Sequence, residues 1–400
     1  TNFLPPKIDD PKISETFSVY GNSRLVGFES YYFFAGKFSV LADSFISNPI
    51  LAMRLFNVLL FLILVVMFST SNRTVKPLFL ILLISPQIWY LFSYINSDAF
   101  ALFIALTISY QLVNENSWFN KYLSSDKRNN YLKGALLFSG LVSLQVLSKQ
   151  NYWLLLVYVA FIFSWQLKVL KERRKALFKK YLIIIGMVLI MLIPRLIYEV
   201  NLYGTERNSI IAQHKEDIAH KFFKRSNIHE DFSYFGVFLK DKGYAFGDLF
   251  NKDWEWHKAT FCSFVGVFGY MSIFSPAWYY IVMFMLYVIL LILVSIKEIY
   301  KQPRDNLITL LFTNVFFVGI LFISAYHSWL NDFQPQGRYL FPILGIFGFG
   351  FVKVRTLNNY FIFRVLLMVI ALLSLYSFVF IAISEIPKMP EYESLLSHNY

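Results

Sequence analysis

Residues 327–344, HSWLNDFQPQGRYLFPIL, join two strongly apolar segments and set polar side chains between aromatic ones. The PQG tripeptide at 335–337 is typical of a turn, because proline presets one backbone angle and glycine frees the next. Arg338 then opens the following apolar run, with Tyr339 beside it. Such an arginine either extends to the membrane interface or presents its planar donors to phosphate oxygens. The stretch predicts the mouth of a membrane helix bundle and leaves both roles open.

The composition is typical of a polytopic membrane protein. Hydrophobic residues make up 57% of the 400 residues, aromatic ones 20% and charged ones only 16%, whereas soluble proteins average about 25% charged residues. The net charge of +12 would suggest nucleic acid as the partner of a soluble protein, but here the basic residues lie in short loops between apolar runs. We therefore expect a lipid bilayer, and no nucleic acid, as partner. The single cysteine, Cys262, excludes an intramolecular disulfide and a cysteine-rich metal site.

Ten apolar segments follow residues 1–49, each close to the length that a bilayer core requires. They predict an all-α membrane protein of about ten transmembrane helices, with amphipathic helices and a large loop on the outer face. The segments lie at about 50–69, 76–95, 98–113, 132–148, 151–167, 180–200, 277–297, 306–326, 337–354 and 359–384.

Lysine and arginine residues predict the orientation of these segments. They crowd alternate linkers, most densely at 168–180, and all these linkers fall on one side if the segments simply alternate. Because short cytoplasmic loops carry an excess of basic residues, this side is predicted to be cytoplasmic. At 168–180 a solvated cytoplasmic loop is favoured over a nucleic-acid patch. The chain then starts outside at Thr1, and we expect a further helix upstream of it.

The alternation divides one polytopic domain, residues 1–400, into five parts. They are an outer loop with an amphipathic helix (1–49), six transmembrane segments (50–200), a large outer loop (201–276), four transmembrane segments (277–384) and an outer tail (385–400).

Three stretches outside the apolar segments have helical or bent character. In the first part, the residues at helical spacing predict a helix on the membrane surface or an ordinary buried helix; they are Tyr31, Phe34, Phe38 and Leu41. Residues 205–225 predict an amphipathic helix over the bundle. Residues 260–280, rich in glycine and aromatic residues, predict a bent segment that re-enters at the interface.

Four charged residues map to the outer ends of the predicted helices: Asp98, Lys149, Arg195 and Arg338. Each has an ordinary interpretation, because a carboxylate caps a helix N-terminus and basic side chains reach for the interface. One acid and three bases on one leaflet also predict a site for an anionic lipid headgroup, since ionisable groups at membrane depth tend to be functional. Both interpretations stay open on the residues alone.

The large outer loop is rich in acids and histidines. Oxygen ligands suit magnesium or manganese, so either ion is a candidate cofactor, although no spacing in the loop forms a recognised metal motif. The sequence has no Gly-rich phosphate loop, no HExxH and no nucleophile elbow. ATP-driven transport and serine hydrolysis therefore lack support.

Three motifs resemble those of one bacterial membrane family. INSDAFALFIAL at 95–106 resembles an "NNDALA" signature, SFVGVFGYMSIFSPAWYY at 263–280 a "SFWGxFGW" signature, and QPQGRYLFP at 334–342 a "QGRYLLP" signature. Together they resemble the family known as domain of unknown function 2142, over about residues 20–384. That family is similar to GT-C glycosyltransferases, multi-helix enzymes that use polyprenyl-phosphate sugars.

The resemblance implies a GT-C-like fold and roles for individual residues. The donor phosphate would be bound by Arg338, Lys149, Arg195, Gln336 and Tyr339, and the polar surroundings would be formed by Asp98, Gln150 and Ser263. GT-C enzymes typically carry their catalytic acid in the first outer loop, where this chain has Asp9 and Asp10. The family's usual Pro-Asp-Glu pattern is missing there, and the acid could therefore precede Thr1.

The activity that the resemblance implies is inverting transfer of a sugar from a polyprenyl-phosphate donor to a cell-envelope glycan acceptor. A carboxylate would deprotonate the acceptor hydroxyl, and the basic residues would stabilise the leaving lipid phosphate. The expected location is the bacterial cytoplasmic membrane, with the active site facing outside.

Two other functions fit the same sequence. A transporter or flippase of lipid-linked glycan would share the basic headgroup site but should show internal repeats and polar residues near the bilayer midplane. A non-catalytic scaffold of a polysaccharide assembly complex would need no catalytic acid. The large outer loop and the outer position of the polar residues favour the enzyme.

Overall fold

The computed structural model describes residues 30–72, 75, 77–125, 132–269, 271–301, 304–353 and 361–388, which form a bundle of α-helices with one short β-hairpin. The hairpin strands are antiparallel, β1 at Val267–Phe268 and β2 at Ile273–Phe274. The helices are α1 (Ser30–Ala42), α2 (Pro49–Ser69), α3 (Pro77–Ile81), α4 (Pro86–Ser93), α5 (Ser97–Val113), α6 (Trp118–Ser124), α7 (Leu132–Val146), α8 (Trp153–Val169), α9 (Arg174–Tyr203), α10 (Arg207–Ile218), α11 (Trp256–Gly266), α12 (Ala277–Lys301), α13 (Arg304–Leu330), α14 (Pro342–Lys353), α15 (Phe361–Tyr376) and α16 (Ile383–Glu385).

Five helical stretches among the described residues are long and apolar enough to cross a membrane. They are Pro49–Ser69, Gln150–Val169, Lys171–Tyr203, Leu311–Leu330 and Phe361–Glu385. Three further apolar helices are shorter, at Leu132–Val146, Ala277–Leu293 and Gly337–Phe349. Most of the apolar segments predicted from the sequence therefore correspond to helices in the structure.

The predicted segment 76–95 is not one continuous helix, which corrects the sequence interpretation. The structure breaks it into α3 and α4, with a turn between them. The break has a local cause, because Pro86 begins α4 and a residue before proline is disfavoured in the α conformation. Ser85, at that position, is extended and accepts a hydrogen bond from the Gln87 N–H at 3.2 Å.

Helix α5 lies at the centre of the bundle, with most of its residues buried against α1, α2, α7 and α14. Its contact with α14 is close because small residues face each other there. The Ser109 hydroxyl donates to the Gly345 carbonyl at 2.7 Å, and a side chain at Gly345 would press on Ala105 and Ser109. Small residues let membrane helices approach closely. This packing fixes the N-terminus of α5 relative to the residues that precede α14.

The linkers gather at the two ends of the bundle. At one end, Lys180 donates to the carbonyls of Leu123 and Ser125 at 2.8 and 2.6 Å, which joins the start of α9 to the end of α6. At the other end, the Phe238 N–H donates to the Asn331 carbonyl at 2.6 Å and the Phe333 N–H to the Gly236 carbonyl at 2.7 Å. The long loop thus lies on the linker before α14. The predicted alternation places each of these pairs of linkers at the same end of the bundle, which agrees with the hydrogen bonds. Which end faces the cytoplasm stays a prediction.

The stretches outside the apolar segments differ in detail from their sequence interpretation. In α1 the buried residues are Tyr31 and Ala35, whereas Leu41 is 78% exposed, because the helix packs on α2 and α5 through its first turns. The helix predicted at 205–225 ends earlier, at Ile218, and none of the residues of α10 is buried. The bend predicted within 260–280 is the β1–β2 hairpin between α11 and α12.

Candidate functional site

Asp98 lies in the first turn of α5 and is fully buried, with an exposed fraction of 0%. Asn96 caps the helix, and its side-chain oxygen accepts a hydrogen bond from the Asp98 N–H at 2.7 Å. A carboxylate in this position is favoured by the helix dipole. Capping alone would leave such a group near solvent, so its complete burial requires charged partners.

Two cations supply those partners. The Lys149 ammonium lies 2.8 Å from Asp98 Oδ2, and Arg338 Nε lies 3.8 Å from the same oxygen. Their side chains are 21% and 28% exposed, so the cations form the open side and Asp98 the closed side. We call Asp98, Lys149 and Arg338 the charge centre. Two cations against one carboxylate leave it with a net charge of +1.

Lys149 belongs to the turn between α7 and the 3-10 helix Gln150–Tyr152. Burial alone would lower the pKa of its amine, but the Asp98 carboxylate, its hydrogen bond and Tyr339 together outweigh burial, so the pKa lies above the ordinary value of a lysine. The amine therefore stays charged at neutral pH, and Lys149 acts as a fixed point charge.

Arg338 is part of the 3-10 helix Gly337–Leu340, which leads into α14 and which we call the arginine helix. The Gly337 N–H donates to Ser263 Oγ at 3.0 Å, which ties this helix to α11. Arg338 Nη1 donates to the Tyr94 hydroxyl at 3.3 Å, and the guanidinium lies 5.3 Å from the centre of the Tyr339 ring. The C-terminal end of α4, helix α11 and the 3-10 helix before α14 therefore all contribute to the position of one guanidinium.

A chain of hydrogen bonds extends from Tyr339 toward the outer loop. The Tyr339 hydroxyl donates to Gln334 Oε1, and the Gln334 amide donates to Asp332 Oδ2. Asp332 Oδ1 lies 4.0 Å from the Nδ1 atom of His327, an exposed residue. Burial raises the pKa of the Asp332 carboxyl, and the facing His327 opposes that shift. The chain fixes the Tyr339 ring beneath Arg338.

Of the four charged residues predicted to gather, the structure brings three together. Arg195 forms an ion pair with Glu199 one turn further along α9, and Glu199 also lies 3.4 Å from Arg207 at the start of α10. The pairing of Arg195 is thus local. Asp9 and Asp10, the predicted catalytic acids, lie outside the described residues.

The remaining predicted residues have distinct positions. Ser263 is buried, and its hydroxyl oxygen accepts a hydrogen bond from the Gly337 N–H, so it positions the arginine helix without contacting Arg338 in this hydrogen bond. Gln150 is exposed at the start of its 3-10 helix. Gln336 is half-buried and caps the arginine helix, with its carbonyl accepting from the Tyr339 N–H at 3.1 Å.

Sequence reasoning missed Tyr94 and Tyr152, which also belong to the site. Tyr94 contacts the Arg338 guanidinium directly. Tyr152 is fully buried and lies near enough to Asp98 for an electrostatic interaction. Both residues stand within four positions of a predicted charged residue, and this spacing was the available signal. Within the described ranges, no group of three or more His, Cys, Asp or Glu residues could hold a metal ion. Magnesium or manganese as cofactor stays a prediction.

Gly337 provides the first testable feature of this geometry. A Cβ atom built there would lie less than 3.0 Å from the backbone nitrogen and Cα of Phe264, so alanine would push the arginine helix away from α11. We expect Gly337→Ala to lower the free energy of unfolding by about 1–3 kcal/mol, as overpacking does. Thermal unfolding in detergent measures the effect.

Gly186→Ala is the matched control. Gly186 lies within α9, and a Cβ atom built there would meet no described atom within 4 Å. Alanine is favoured over glycine in a helix by about 0.5–1 kcal/mol. A Gly337→Ala protein as stable as the wild type would contradict the close approach of the two backbones.

Apolar helices of these lengths, packed around a buried charge centre, define a helical membrane protein. The chain belongs to the family described as "Predicted membrane protein (DUF2142)", which matches residues 29–347. No curated protein and no solved structure matches the chain. This match confirms the family resemblance, and the matched range includes Asp98, Lys149 and Arg338. Similarity to GT-C enzymes stays a prediction.

Proposed function

We propose that the protein is a membrane glycosyltransferase that takes a sugar from a polyprenyl-phosphate donor and transfers it to a cell-envelope glycan acceptor. In this proposal the fold is GT-C-like with about ten spans, and the site faces outside the bacterial cytoplasmic membrane. The observation that carries the proposal is the charge centre, in which two partly exposed cations outnumber one buried carboxylate.

The geometry of Arg338 favours a phosphate as ligand. Its Nε atom is buried without a hydrogen-bond partner within the described part of the chain, and it is too far from Asp98 to donate a hydrogen bond to it. This spare donor belongs to a planar fork whose geometry matches the oxygens of a phosphate. Lys149 adds a point charge on the same side. A neutral or cationic headgroup would gain nothing from this arrangement.

The proposed reaction moves one glycosyl group. The acceptor oxygen forms a bond to the anomeric carbon while the bond from that carbon to the phosphate oxygen breaks. A carboxylate takes the proton of the acceptor hydroxyl, and the lipid phosphate leaves with the electron pair. Arg338 and Lys149 stabilise the negative charge that develops on the leaving phosphate. Asp98 is committed to the two cations, so it holds them in place rather than acting as the base.

The position of the charge centre bears on the transporter alternative. Asp98 begins α5, Lys149 lies between two helices and Arg338 precedes α14, so all three lie at helix ends. A flippase site is expected near the bilayer midplane. The position therefore favours an enzyme over a transporter. A non-catalytic scaffold could have the same site and would differ from an enzyme only in lacking turnover.

The test of the proposal is donor turnover by the purified protein in nanodiscs. The probe is a polyprenyl-phosphate hexose, and the readout is release of polyprenyl phosphate when a cell-envelope glycan extract is added. Asp9→Asn or Asp10→Asn should slow turnover by about 100-fold or more if that residue is the base, with donor binding unchanged. Turnover lost in one variant, with normal binding, supports transfer.

Two outcomes bear on different parts of the proposal. Full turnover in both aspartate variants would support transfer and contradict only the assignment of the base to Asp9 or Asp10. Donor binding without turnover by wild-type protein, across the panel of acceptor extracts, would favour the scaffold or transporter. A flipping assay with the same lipid in sealed vesicles then separates those two.

A further inference from the structure

Buried polar atoms without hydrogen-bond partners are concentrated beside the charge centre. The described residues contain thirteen such side-chain atoms, and five of them lie in two short stretches. These five are Asn96 Nδ2, Ser97 Oγ, Asp98 Oδ1, Asn151 Nδ2 and Tyr152 OH. Native proteins leave few buried polar groups unpaired, so a cluster of five needs a specific explanation.

The two stretches are neighbours in space. Residues 96–98 form the capped start of α5, and residues 151–152 directly follow Lys149. The 2.8 Å ion pair between Lys149 and Asp98 ties one stretch to the other. Asp98 also acts electrostatically on the Tyr152 hydroxyl. The unpaired atoms thus lie on two stretches that meet at this ion pair, and we call the five atoms together the hydroxyl site.

The chemistry of the five atoms selects the class of ligand. The two asparagine Nδ2 atoms can only donate, the Asp98 carboxylate oxygen can only accept, and the Ser97 and Tyr152 hydroxyls can do both. An ionised phosphate accepts but does not donate, so it would leave Asp98 Oδ1 unpaired and would be repelled by that carboxylate. A lipid chain would satisfy none of the atoms. A sugar carries several hydroxyl groups, each of which donates and accepts.

We infer that the hydroxyl site binds the sugar hydroxyl groups of a phosphate-linked glycosyl lipid, with Asp98 Oδ1 accepting from one of them. This rests on the proposed function and adds to it a determinant of sugar recognition. The phosphate lies at the partly exposed cations and the sugar on the buried side of the same centre. Because the five atoms are closed from solvent, binding requires side-chain movement in the two stretches.

A buried site built for hydroxyl groups discriminates strongly against a ligand that lacks them, because its own polar groups then remain unpaired. We therefore expect a polyprenyl-phosphate hexose to bind more tightly than polyprenyl phosphate alone, by about tenfold or more. The probes are polyprenyl phosphate and its glucose, galactose, mannose and N-acetylglucosamine derivatives, titrated against the full chain in nanodiscs. The measured quantity is the ratio of the two Kd values.

Two variants remove one hydroxyl each, Ser97→Ala and Tyr152→Phe. Each should reduce the sugar gain, which is the Kd for polyprenyl phosphate divided by the Kd for its preferred sugar derivative, by about twofold to tenfold. This is the contribution of one hydrogen bond to affinity. Neither should change the Kd for polyprenyl phosphate. Neither should lower the Tm of the protein without lipid, since each removes a hydroxyl that has no protein partner among the described residues.

The chain offers a matched control for each variant. Ser109 lies on the same helix as Ser97, and its hydroxyl donates to the Gly345 carbonyl at 2.7 Å. Tyr158 lies in α8, which directly follows Tyr152, and its hydroxyl forms a hydrogen bond with the Thr313 hydroxyl at 2.9 Å. Ser109→Ala and Tyr158→Phe should lower the Tm and leave the sugar gain unchanged. The pairs thus separate recognition of a sugar from support of the fold.

The outcomes distinguish this inference from the proposed function. Equal affinity for polyprenyl phosphate and every sugar derivative would overturn the hydroxyl site alone and assign the five atoms to buried water. A sugar gain that survives both variants would overturn it as well. No binding of any polyprenyl phosphate would overturn the proposed function, and the hydroxyl site with it.

Discussion

Arg338→Lys is expected to lose donor binding almost as completely as Arg338→Ala. Lysine keeps the charge but lacks the planar fork, and the spare Nε–H donor of Arg338 has no counterpart in it. The lost charge-assisted hydrogen bond should cost roughly 1.5–3 kcal/mol, or about tenfold to hundredfold in affinity. The measurement is the Kd of a polyprenyl-phosphate hexose, with single-turnover transfer followed in the same nanodiscs.

Arg195→Lys is the matched control for this prediction. Arg195 is also a partly exposed arginine of an apolar helix, but its ion-pair partner is Glu199 of the same helix. The control should bind donor like the wild type. If Arg338→Lys also binds like the wild type, Arg338 only reaches for the interface, where either side chain serves. That result would remove the main support for a phosphate site.

The common side of Asp98, Lys149 and Arg338 could be predicted from sequence, because it depends on a property of whole loops, whereas their contact with one another could not. Once the basic linkers assign one side, alternation places Asp98, Lys149 and Arg338 at the other. Alternation also places Arg195 on that side, but Arg195 pairs with Glu199 of its own helix. A shared side therefore does not establish contact. A carboxylate one helical turn away forms a partner regardless of topology.

Other features depend on local backbone chemistry or on contacts distant in sequence. The break between α3 and α4 follows from Pro86 and was readable in the sequence, but the apolar run around it outweighed that signal. The chain from Tyr339 through Gln334 to Asp332 lies within one predicted turn, and only coordinates show its direction. The unpaired state of Asp98 Oδ1 and Tyr152 is a property of packing, which no sequence pattern reports.

The charge centre also predicts which acid the fold depends on. Asp98 is fully buried, whereas Lys149 and Arg338 are partly exposed. Its carboxylate is the negative charge that balances both cations, so its loss would leave them unpaired. An ion pair of the same length but greater exposure exists in the outer loop, where Arg225 lies 2.8 Å from Asp241 and the two side chains are 68% and 27% exposed. Equal distances and different burial make the two pairs a direct comparison.

Asp98→Asn is expected to lower the free energy of unfolding by about 3 kcal/mol, the lower end for a broken buried pair, because Lys149 and Arg338 retain some exposure. Asp241→Asn should cost no more than about 1 kcal/mol, since an exposed pair is screened by water. The Asp98→Asn/Lys149→Met double variant should recover part of the loss, because one stranded cation is gone. Unfolding titrations in mixed micelles measure all three variants. Equal losses for Asp98→Asn and Asp241→Asn would contradict a buried charge centre, since Asp98 is fully buried against two cations whereas Asp241 is partly exposed beside Arg225.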